Sequence, residues 1–229
     1  MEEVFAQLDR RVVLRWQAAE GERLEPDAEI ATLRGPAGAL LSGERTALNF
    51  LQTLSGTATA TAAMVDAVAG TSARILDTRK TLPGLRAAQK YAVRTGGGHN
   101  HRHGLFDGIL LKENHLAWGG GLEGAVRAAR ATAPHTVRIQ VEVEDLAQLR
   151  TALAVGVDAV LLDNFSLEDL RAAVTESGDG CFLEASGNIS LANVREVAET
   201  GVHAISSGAL TRDLASLDLS MRFREPNGG

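Results

Sequence analysis

Short apolar runs rich in β-branched residues alternate with helical segments along this sequence from Arg74 onward. Six of these runs have the length of strands, at residues 74–77, 108–112, 137–143, 158–163, 181–185 and 203–206. Helices are predicted at 122–131, 145–154, 167–176 and 191–199, with Ser166 and Ser190 as N-caps. Such alternation is typical of parallel strands joined by crossover helices. Six units favour a parallel α/β barrel over an open sheet.

The first 73 residues follow a different pattern. Two strand-like runs, at 12–16 and 29–33, are separated by Gly21 and Pro26, and a long helix is expected from about Glu44. A two-stranded ribbon is barely stable alone, so this region is short of strands for a complete domain. The pattern predicts a partial α+β sandwich domain with a linking helix over 1–73, a barrel domain over 74–223 and a flexible tail over 224–229.

Charge is unevenly distributed along the chain. The net charge is −6, whereas proteins with a general nucleic-acid surface usually carry a positive excess. Between Arg74 and Lys112, however, eight basic residues stand against two acids, and four of the six histidines lie inside or beside this window. The local excess of positive charge indicates a site for an anionic small molecule. A solvated basic face is the alternative.

Secretion and membrane insertion have little support in the sequence. The single cysteine, Cys181, cannot form an intrachain disulfide, and no charged-then-apolar leader opens the chain. The charge-free stretch at 46–65 has the length of a membrane span but is interrupted by Asn, Gln, Ser and Thr residues. We therefore expect a buried or interfacial helix there, and a cytoplasmic protein without membrane contact.

Polar residues end each of the six strand-like runs. In parallel α/β barrels the active site lies at the carboxyl ends of the strands, so these residues are the candidates for catalysis. They are Asp77 to Lys80, Lys112 to His115, Glu142, Asp163 and Asn164, Glu184 to Gly187, and Ser206 to Gly208. One rim is thus expected to combine cations, two candidate metal-binding carboxylates and two Ser-Gly turns. Charged loop tips and helix caps are the ordinary alternative for each feature.

The two Ser-Gly turns, at 186–188 and 207–209, lead toward helical segments. Free backbone amides and the helix dipole favour phosphate at such places. The candidate phosphate ligands are Ser186, Gly187, Asn188, Ser207 and Gly208. The three glycines at 96–98 either let the backbone approach a ligand or form an ordinary flexible connection.

Seven motifs occur in an order that is specific in combination. They are ERTALN at 44–49, DTRKT at 77–81, GGGHNHR at 96–102, LKENH at 111–115, VEV at 141–143, LDNF at 162–165 and EASG at 184–187. Together they resemble quinolinate phosphoribosyltransferase, also called carboxylating nicotinate-nucleotide pyrophosphorylase. The likeness runs from the first residues almost to Phe223.

This resemblance implies an N-terminal α/β sandwich and an incomplete α/β barrel, paired in a homodimer so that one subunit's sandwich covers its partner's barrel mouth. It implies that quinolinate is surrounded by basic residues, namely Arg45, Arg79, His101, Arg102 and Lys112. Lys80 would lie between the two substrates as a catalytic residue. Glu142 and Asp163 would face the ribose and the Mg²⁺ of phosphoribosyl pyrophosphate, and the Ser186 and Ser207 turns would hold its 5′-phosphate.

The implied reaction belongs to NAD biosynthesis and yields nicotinate mononucleotide, pyrophosphate and CO₂. Two adjacent carboxylates on quinolinate require several fixed donors, which arginine forks and lysine ammonium groups supply. Positive charge develops on the ribose, where Glu142 and Asp163 can stabilise it as catalytic carboxylates. Negative charge develops on pyrophosphate, where Mg²⁺ and Lys80 can stabilise it.

Two departures from the family pattern are expected to matter. An N-terminal segment of several tens of residues that the resemblance implies is not part of this sequence, so the sandwich is expected to be incomplete and its stability and pairing are in question. His103 stands where the family usually has an apolar residue, and it adds a titratable group beside the predicted quinolinate ligands.

Three other functions stay open on the sequence. The spacing of His99, His101 and His103 could ligate Zn²⁺ in a metal-dependent hydrolase. The same fold could act on nicotinate or a related pyridine, although the number of cations favours a dicarboxylate. A catalytically dead binding protein is the third possibility.

Overall fold

The computed structural model describes residues 1–224, and its N-terminal part contains two helices and one ribbon. The elements are α1 (Glu2–Leu8), β1 (Val13–Trp16), β2 (Ala31–Arg34) and α2 (Ala37–Ala67). β1 and β2 form an antiparallel pair. Phe5 of α1 is buried against Ala47 of α2, and Gly43 admits the Phe5 ring because it has no Cβ atom. Leu33 lies at the edge of this small apolar cluster, which attaches the ribbon to α2.

Six parallel strands form the main sheet, hydrogen-bonded in the order β3-β8-β7-β6-β5-β4. They are β3 (Arg74–Leu76), β4 (Ile109–Leu111), β5 (Ile139–Val143), β6 (Ala159–Asp163), β7 (Phe182–Ser186) and β8 (Ala204–Ser206). The helices after them are α3 (Arg86–Thr95), α4 (Glu113–Trp118), α5 (Gly121–Thr132), α6 (Leu146–Val155), α7 (Leu167–Ser177), α8 (Val194–Ala198) and α9 (Ala209–Arg212). From β4 to β8, strands consecutive in sequence are neighbours, as in a barrel. The predicted incomplete parallel α/β barrel is confirmed.

The apolar core lies between the strands and the helices. Alternate strand residues such as Val141, Val160 and Leu183 are fully buried and pack in one cluster with helix residues such as Leu149. Burying such a side chain is worth about 1.5–3 kcal/mol, so this layer fixes which residues of each strand face the helices. The residues between them therefore face the barrel interior.

The barrel is open between β3 and β4, since no ladder joins these strands in the part of the chain that the structure describes. We call residues 98–102 the seam segment, because they fill this opening. The His99 amide donates to the carbonyl of Ile75 in β3 (2.8 Å). At the other edge, the Arg102 guanidinium donates to the carbonyl of Gly108, just before β4 (2.8 Å). The seam segment thus takes the place of a missing strand.

The glycines that precede and begin the seam segment pack against α2. A Cβ atom on Gly96 would collide with the Ala58 carbonyl, and one on Gly98 would lie 2.7 Å from the Thr61 methyl group. Gly97, between them, has φ of +86°, which glycine adopts readily. The triple glycine is therefore a close contact between α2 and the end of α3.

The helix that was expected from about Glu44 begins earlier, at Ala37. Pro36 occupies the N-cap position, where proline ends the preceding extended chain and favours a helix start. Glycines at 38 and 43 lower the helix propensity of this stretch, so the sequence does not predict a helix there. Contact with α1 stabilises the first turns of α2.

The predicted N-caps have different outcomes. Ser166 is an N-cap, with its hydroxyl accepting from the Asp169 amide at 3.1 Å. Ser190 is not, and the helix predicted at 191–199 is shortened to α8. Asn193 is the N-cap of α8, and its side-chain oxygen accepts from the Ser190 amide (2.9 Å). The residues between them are therefore held in a turn.

The division of the chain at residue 73 stays a prediction, and the flexible tail predicted at 224–229 lies outside the described residues beyond Arg224. Among the helices that the structure describes, none combines the length and the apolar character needed to cross a membrane.

Candidate active site

The carboxyl edge of the sheet carries polar side chains that point into or around the barrel mouth. On β5, the residues that alternate with the helix-facing valines are Gln140 and Glu142. On β6 and β7, the corresponding interior positions at the strand ends are Asp163 and Ser186. Glu184, one interior position deeper on β7, is only 2% exposed. The strand ends thus form one polar rim, as the sequence predicted.

A buried ion pair holds the backbone of the seam segment. The side chains of Lys90 and Asp77 are both fully buried and form a salt bridge. Asp77 also accepts from the His101 amide (2.8 Å) and the Asn100 side chain (2.6 Å), and Lys90 donates to the His101 carbonyl (2.9 Å). Both polar groups of the His101 backbone are therefore bound by charged side chains, which offsets the cost of burying those charges.

The His101 side chain points into the barrel. Its Nε2 lies 3.1 Å from Gln140 Oε1 and 3.3 Å from Glu184 Oε2, and its Nδ1 accepts from the Arg102 amide (2.7 Å). Gln140 in turn donates to Glu184 (2.8 Å). Both ring nitrogens of His101 thus have partners in the protein.

Arg102 and Arg79 form a cationic pair beside the seam. Burial and, after it, the charge of Arg79 lower the pKa of the Arg102 guanidinium. Arg79 follows β3, and its carbonyl accepts from Arg86 (3.2 Å). The charge of Asp107 acts in the opposite direction and raises the pKa of Arg102. An anion bound beside Arg102 would relieve its repulsion from Arg79.

Lys112 joins the two sides of the mouth. It follows β4 directly and forms a salt bridge with Glu142 of β5. The lysine side chain is 46% exposed, so it remains accessible from the mouth. A residue predicted to bind quinolinate therefore contacts one predicted to serve the ribose. Asp163, on the next strand, accepts instead from the neighbouring Asn164 side chain (2.9 Å).

The predicted phosphate turns are connected to each other. Gly187 has φ of +93°, and a Cβ atom there would collide with the Asn164 side chain. The Asn188 side-chain Nδ2 donates to Asn164 Oδ1 (3.0 Å), and the Ser207 hydroxyl donates to the Ile189 carbonyl (3.2 Å). The turns after β6, β7 and β8 therefore form one continuous surface.

The expectation that a helix dipole would favour phosphate at these turns is wrong. The turn at Ser186 does not open a helix, since α8 begins only at Val194, and α9 after Ser207 has four residues. A helix dipole therefore adds little at either turn, because short helices sum few peptide dipoles. The remaining case for phosphate rests on the backbone amides and hydroxyls.

Lys80 lies against the second turn. A Cβ atom on Gly208 would be 3.0 Å from Lys80 Cδ, so the absence of a side chain lets the lysine cross the turn. The Lys80 carbonyl accepts from Thr211 (2.7 Å), which fixes the backbone. Lys80 is exposed, and its side chain lies beside the turn after β8.

Arg45 is the predicted site residue that does not join this group. It is exposed on α2, and no hydrogen bond or ion pair holds its side chain within the described residues. The helix meets the barrel at Ala58, which packs on Gly96. Arg45 precedes Ala58 by thirteen residues, or about 20 Å along the helix axis.

The histidines predicted as zinc ligands are kept apart. His99 is paired through its backbone, His101 points into the barrel, and His103 is exposed with its amide bound by Asp107 (2.7 Å). Across residues 1–224, no three His, Cys, Asp or Glu side chains lie together as a metal site would require.

Several residues that shape the site had no predicted role. Asp77 and Glu184 were among the polar strand-end residues singled out in the sequence, whereas Lys90, Asn100 and Gln140 were not candidates. The available signal was polar residues at alternate positions of strands that are otherwise apolar, which applies to Gln140 and Glu184. A lysine on a buried helix face gives no comparable signal, because its acidic partner is distant in sequence.

Comparison with known proteins identifies the family. Residues 1–55 match the quinolinate phosphoribosyl transferase N-terminal domain, and residues 57–222 match the C-terminal domain. The chain is 45% identical to a probable nicotinate-nucleotide pyrophosphorylase [carboxylating] of Bacillus subtilis, covering 96% of this chain and 76% of that protein. It is 46% identical to the corresponding Mycobacterium leprae protein, covering 96% and 78%.

A solved structure gives the same result at the level of the fold. The nicotinate-nucleotide pyrophosphorylase from Francisella tularensis superimposes with a TM-score of 0.92 and 44% identity, over 96% of this chain and 78% of that one. With both domains matched in order and the polar rim at the expected strand ends, the chain belongs to the quinolinate phosphoribosyltransferase family.

Proposed function

We propose that this protein transfers the phosphoribosyl group of phosphoribosyl pyrophosphate to quinolinate and decarboxylates the product, giving nicotinate mononucleotide, pyrophosphate and CO₂. The observation that carries the proposal is the placement of three cations around one opening: Arg79 and Lys112 follow β3 and β4, and Arg102 ends the seam segment between these strands. Nicotinate has one carboxylate, whereas quinolinate has two adjacent ones, and three cations suit the dianion.

The two substrates would lie side by side along the rim. Quinolinate would be bound by Arg79, Arg102 and Lys112, and the 5′-phosphate by the connected turns at Ser186 to Asn188 and Ser207 to Gly208. Lys80 lies against Gly208, between these regions, so its ammonium can neutralise charge on the departing pyrophosphate. Holding both substrates in one orientation supplies much of the catalysis.

The chemistry develops opposite charges at two places. As the pyridine nitrogen attacks the anomeric carbon and pyrophosphate leaves, positive charge grows on the ribose, where Glu142 and Asp163 stabilise it. The quaternised ring then accepts the electron pair of the C–C bond as CO₂ departs, and a proton replaces the 2-carboxylate. Because the ring itself is the electron sink, the protein mainly positions and neutralises.

Glu142 and Asp163 fit the predicted Mg²⁺. They face the same side of neighbouring strands, since Glu142 stands opposite Leu161, two residues before Asp163. Mg²⁺ is usually bound by one or two carboxylates together with substrate phosphates and waters. These two residues would hold the ion with the ribose and pyrophosphate of the substrate, and the ion would supply charge neutralisation of the leaving group.

A second subunit would complete the site. Arg45 is exposed and, within the described residues, makes no hydrogen bond or ion pair with its own barrel, and exposed apolar residues follow two of the predicted quinolinate ligands. Leu105, Phe106 and Trp118 are 75%, 80% and 96% exposed, and they follow Arg102 and Lys112 in the chain. Exposed apolar clusters of this kind mark association surfaces. A homodimer that covers them with the N-terminal part of the partner would bring the partner's Arg45 to quinolinate.

One assay tests the function and its rivals. The purified protein is incubated with quinolinate, phosphoribosyl pyrophosphate and Mg²⁺, and both nicotinate mononucleotide and CO₂ are measured. The proposal requires the two products in equal amounts. A parallel incubation replaces quinolinate with nicotinate, and product from nicotinate alone, without CO₂, would favour the related-pyridine alternative. Binding of phosphoribosyl pyrophosphate without turnover of either pyridine would favour a binding protein.

A further inference from the structure

Glu184 is a buried carboxylate that the reaction as described does not use. Glu184 is 2% exposed, and its Oε2 accepts from Gln140 (2.8 Å) and lies 3.3 Å from His101 Nε2. In the part of the chain that the structure describes, no hydrogen bond reaches Oε1. Burying a carboxylate oxygen without a hydrogen-bond donor costs free energy of folding. We therefore expect Glu184 to have a role in the site beyond packing.

The charge state of Glu184 follows from its surroundings. Burial raises the pKa of this carboxyl, but hydrogen bonds, first from His101 and then from Ser206 and Gln140, hold the pKa below its ordinary value overall. Glu184 is therefore ionised at neutral pH. An ionised carboxylate only accepts hydrogen bonds, so each neighbour must turn a donor toward it.

His101 is the neighbour for which this requirement has a consequence. The Arg102 amide donates to Nδ1 (2.7 Å), so Nδ1 carries no proton in this arrangement. The ring proton must then be on Nε2, which faces Gln140 Oε1 and Glu184 Oε2. The carboxylate of Glu184 favours this tautomer because it can only accept, and the tautomer leaves Nδ1 free to receive the Arg102 amide.

Arg102 is consequently held at both ends. Its amide is bound by His101, and its guanidinium donates to the Gly108 carbonyl (2.8 Å), which leaves other guanidinium N–H groups for a ligand. We infer that Glu184 is a positioning residue for quinolinate binding, acting through His101 to fix the backbone from which Arg102 reaches the substrate carboxylate. This inference rests on the proposed function, because it assigns the ligand of Arg102.

The charge of Glu184 can be removed at constant shape with Glu184→Gln. Hydrogen bonds to charged groups are about twice as strong as neutral ones, so we expect the Kd for quinolinate to rise about ten-fold. The Kd for phosphoribosyl pyrophosphate should change less than about two-fold, since the contacts of Glu184 are with Gln140 and His101 and not with its predicted phosphate ligands. Calorimetric titration with each ligand gives both values, and thermal unfolding checks that the variant is folded.

A second variant exchanges the two groups. In the double variant Gln140→Glu/Glu184→Gln, a carboxylate again faces His101 Nε2 and an amide again donates to it. Quinolinate affinity should therefore return to within about three-fold of the wild type. A role limited to filling space predicts no such recovery. The ¹⁵N chemical shifts of the His101 ring should report an unprotonated Nδ1 in the wild type and double variant, and a mixture in Glu184→Gln.

The outcomes separate the inference from the function beneath it. Wild-type protein that fails to bind quinolinate would refute the proposed function, while the ring-nitrogen shifts would still test the link from Glu184 to His101. If the wild type binds and Glu184→Gln binds equally well, or loses both ligands equally, the positioning role is refuted. Should the single variant not fold, a folded double variant with weak quinolinate binding would overturn the role.

Discussion

At the scale of single residues, the site divides into groups that bind and groups that hold. The Arg102 guanidinium donates to one protein acceptor, the Gly108 carbonyl, and has further N–H groups, whereas His101 has both ring nitrogens occupied by the protein. The two are adjacent in one motif, and the resemblance gave them the same role. Only their hydrogen-bond partners distinguish them, because sequence position alone does not say which side chain faces inward.

Mutations on the two sides of the rim should affect different quantities, substrate affinity on one side and kcat on the other. Arg102→Ala should raise the Kd for quinolinate about ten- to a hundred-fold, since it removes charge-assisted hydrogen bonds, and should leave phosphoribosyl pyrophosphate binding nearly unchanged. Asp163→Ala should instead lower kcat while quinolinate binding stays measurable. Calorimetry for both ligands and steady-state kinetics provide the comparison.

Asp163 is the better probe of the ribose side than Glu142. Glu142 is paired with Lys112, so its removal also frees a cation of the quinolinate side and mixes the two effects. Similar losses of quinolinate affinity in Arg102→Ala and Asp163→Ala would contradict the division of the rim. Normal turnover of Asp163→Ala in Mg²⁺ would mean that the Asp163 carboxylate has only a structural role, as the acceptor of the Asn164 hydrogen bond.

At the scale of elements, the sequence predicted all six barrel strands to within two residues, because each is a short apolar run with polar residues after it. The seam was not predictable in this way. Its closure depends on Asp77 meeting Lys90 and on His101 meeting Gln140, and these pairs are distant in sequence. The start of α2 was missed for a related reason, since contact with α1, a tertiary interaction, stabilises its glycine-containing first turns.

α2 offers a matched test of these tertiary contacts. A Cβ atom on Gly56 would collide with the Ala215 carbonyl, whereas one on Gly38 of the same helix would meet nothing within 4 Å. Gly56→Ala should therefore lower the free energy of unfolding by about 1–3 kcal/mol. Gly38→Ala should raise it by up to about 0.5–1 kcal/mol, because alanine restricts the unfolded chain and favours helix.

Urea unfolding of the two alanine variants beside the wild type gives the comparison. Equal changes of one sign would mean that helix propensity decides at both positions and that the contact between α2 and the segment after α9 is loose.

At the scale of the whole molecule, the proposed dimer gives Arg45 a place in the site, because within the described residues its side chain is exposed and makes no hydrogen bond or ion pair with its own barrel. The resemblance supplied this arrangement, and the geometry of one chain is compatible with it. Sequence patterns cannot show it, since an exposed arginine on a helix looks the same whether it serves solvent or a partner.

Coexpression of Arg45→Ala with Lys112→Ala tests the shared site. A mixed dimer would concentrate both lesions in one site and leave the other intact, and random pairing makes about half of the dimers mixed. About a quarter of all sites should therefore regain activity, measured as CO₂ release against each parent alone. If mixed dimers are present and remain as inactive as the parents, Arg45 acts within its own chain or not at all.

Substitutions that change substrate preference should be harder to accommodate in the seam segment than at the strand ends. Residues 98–102 close the barrel and carry Arg102, so a substitution that alters ligand preference there also disturbs the enclosure of the fold. Arg79 and Lys112 follow strands whose ladders do not depend on their side chains. Substitutions at the strand ends should therefore change specificity with less damage to the fold than substitutions in the seam segment.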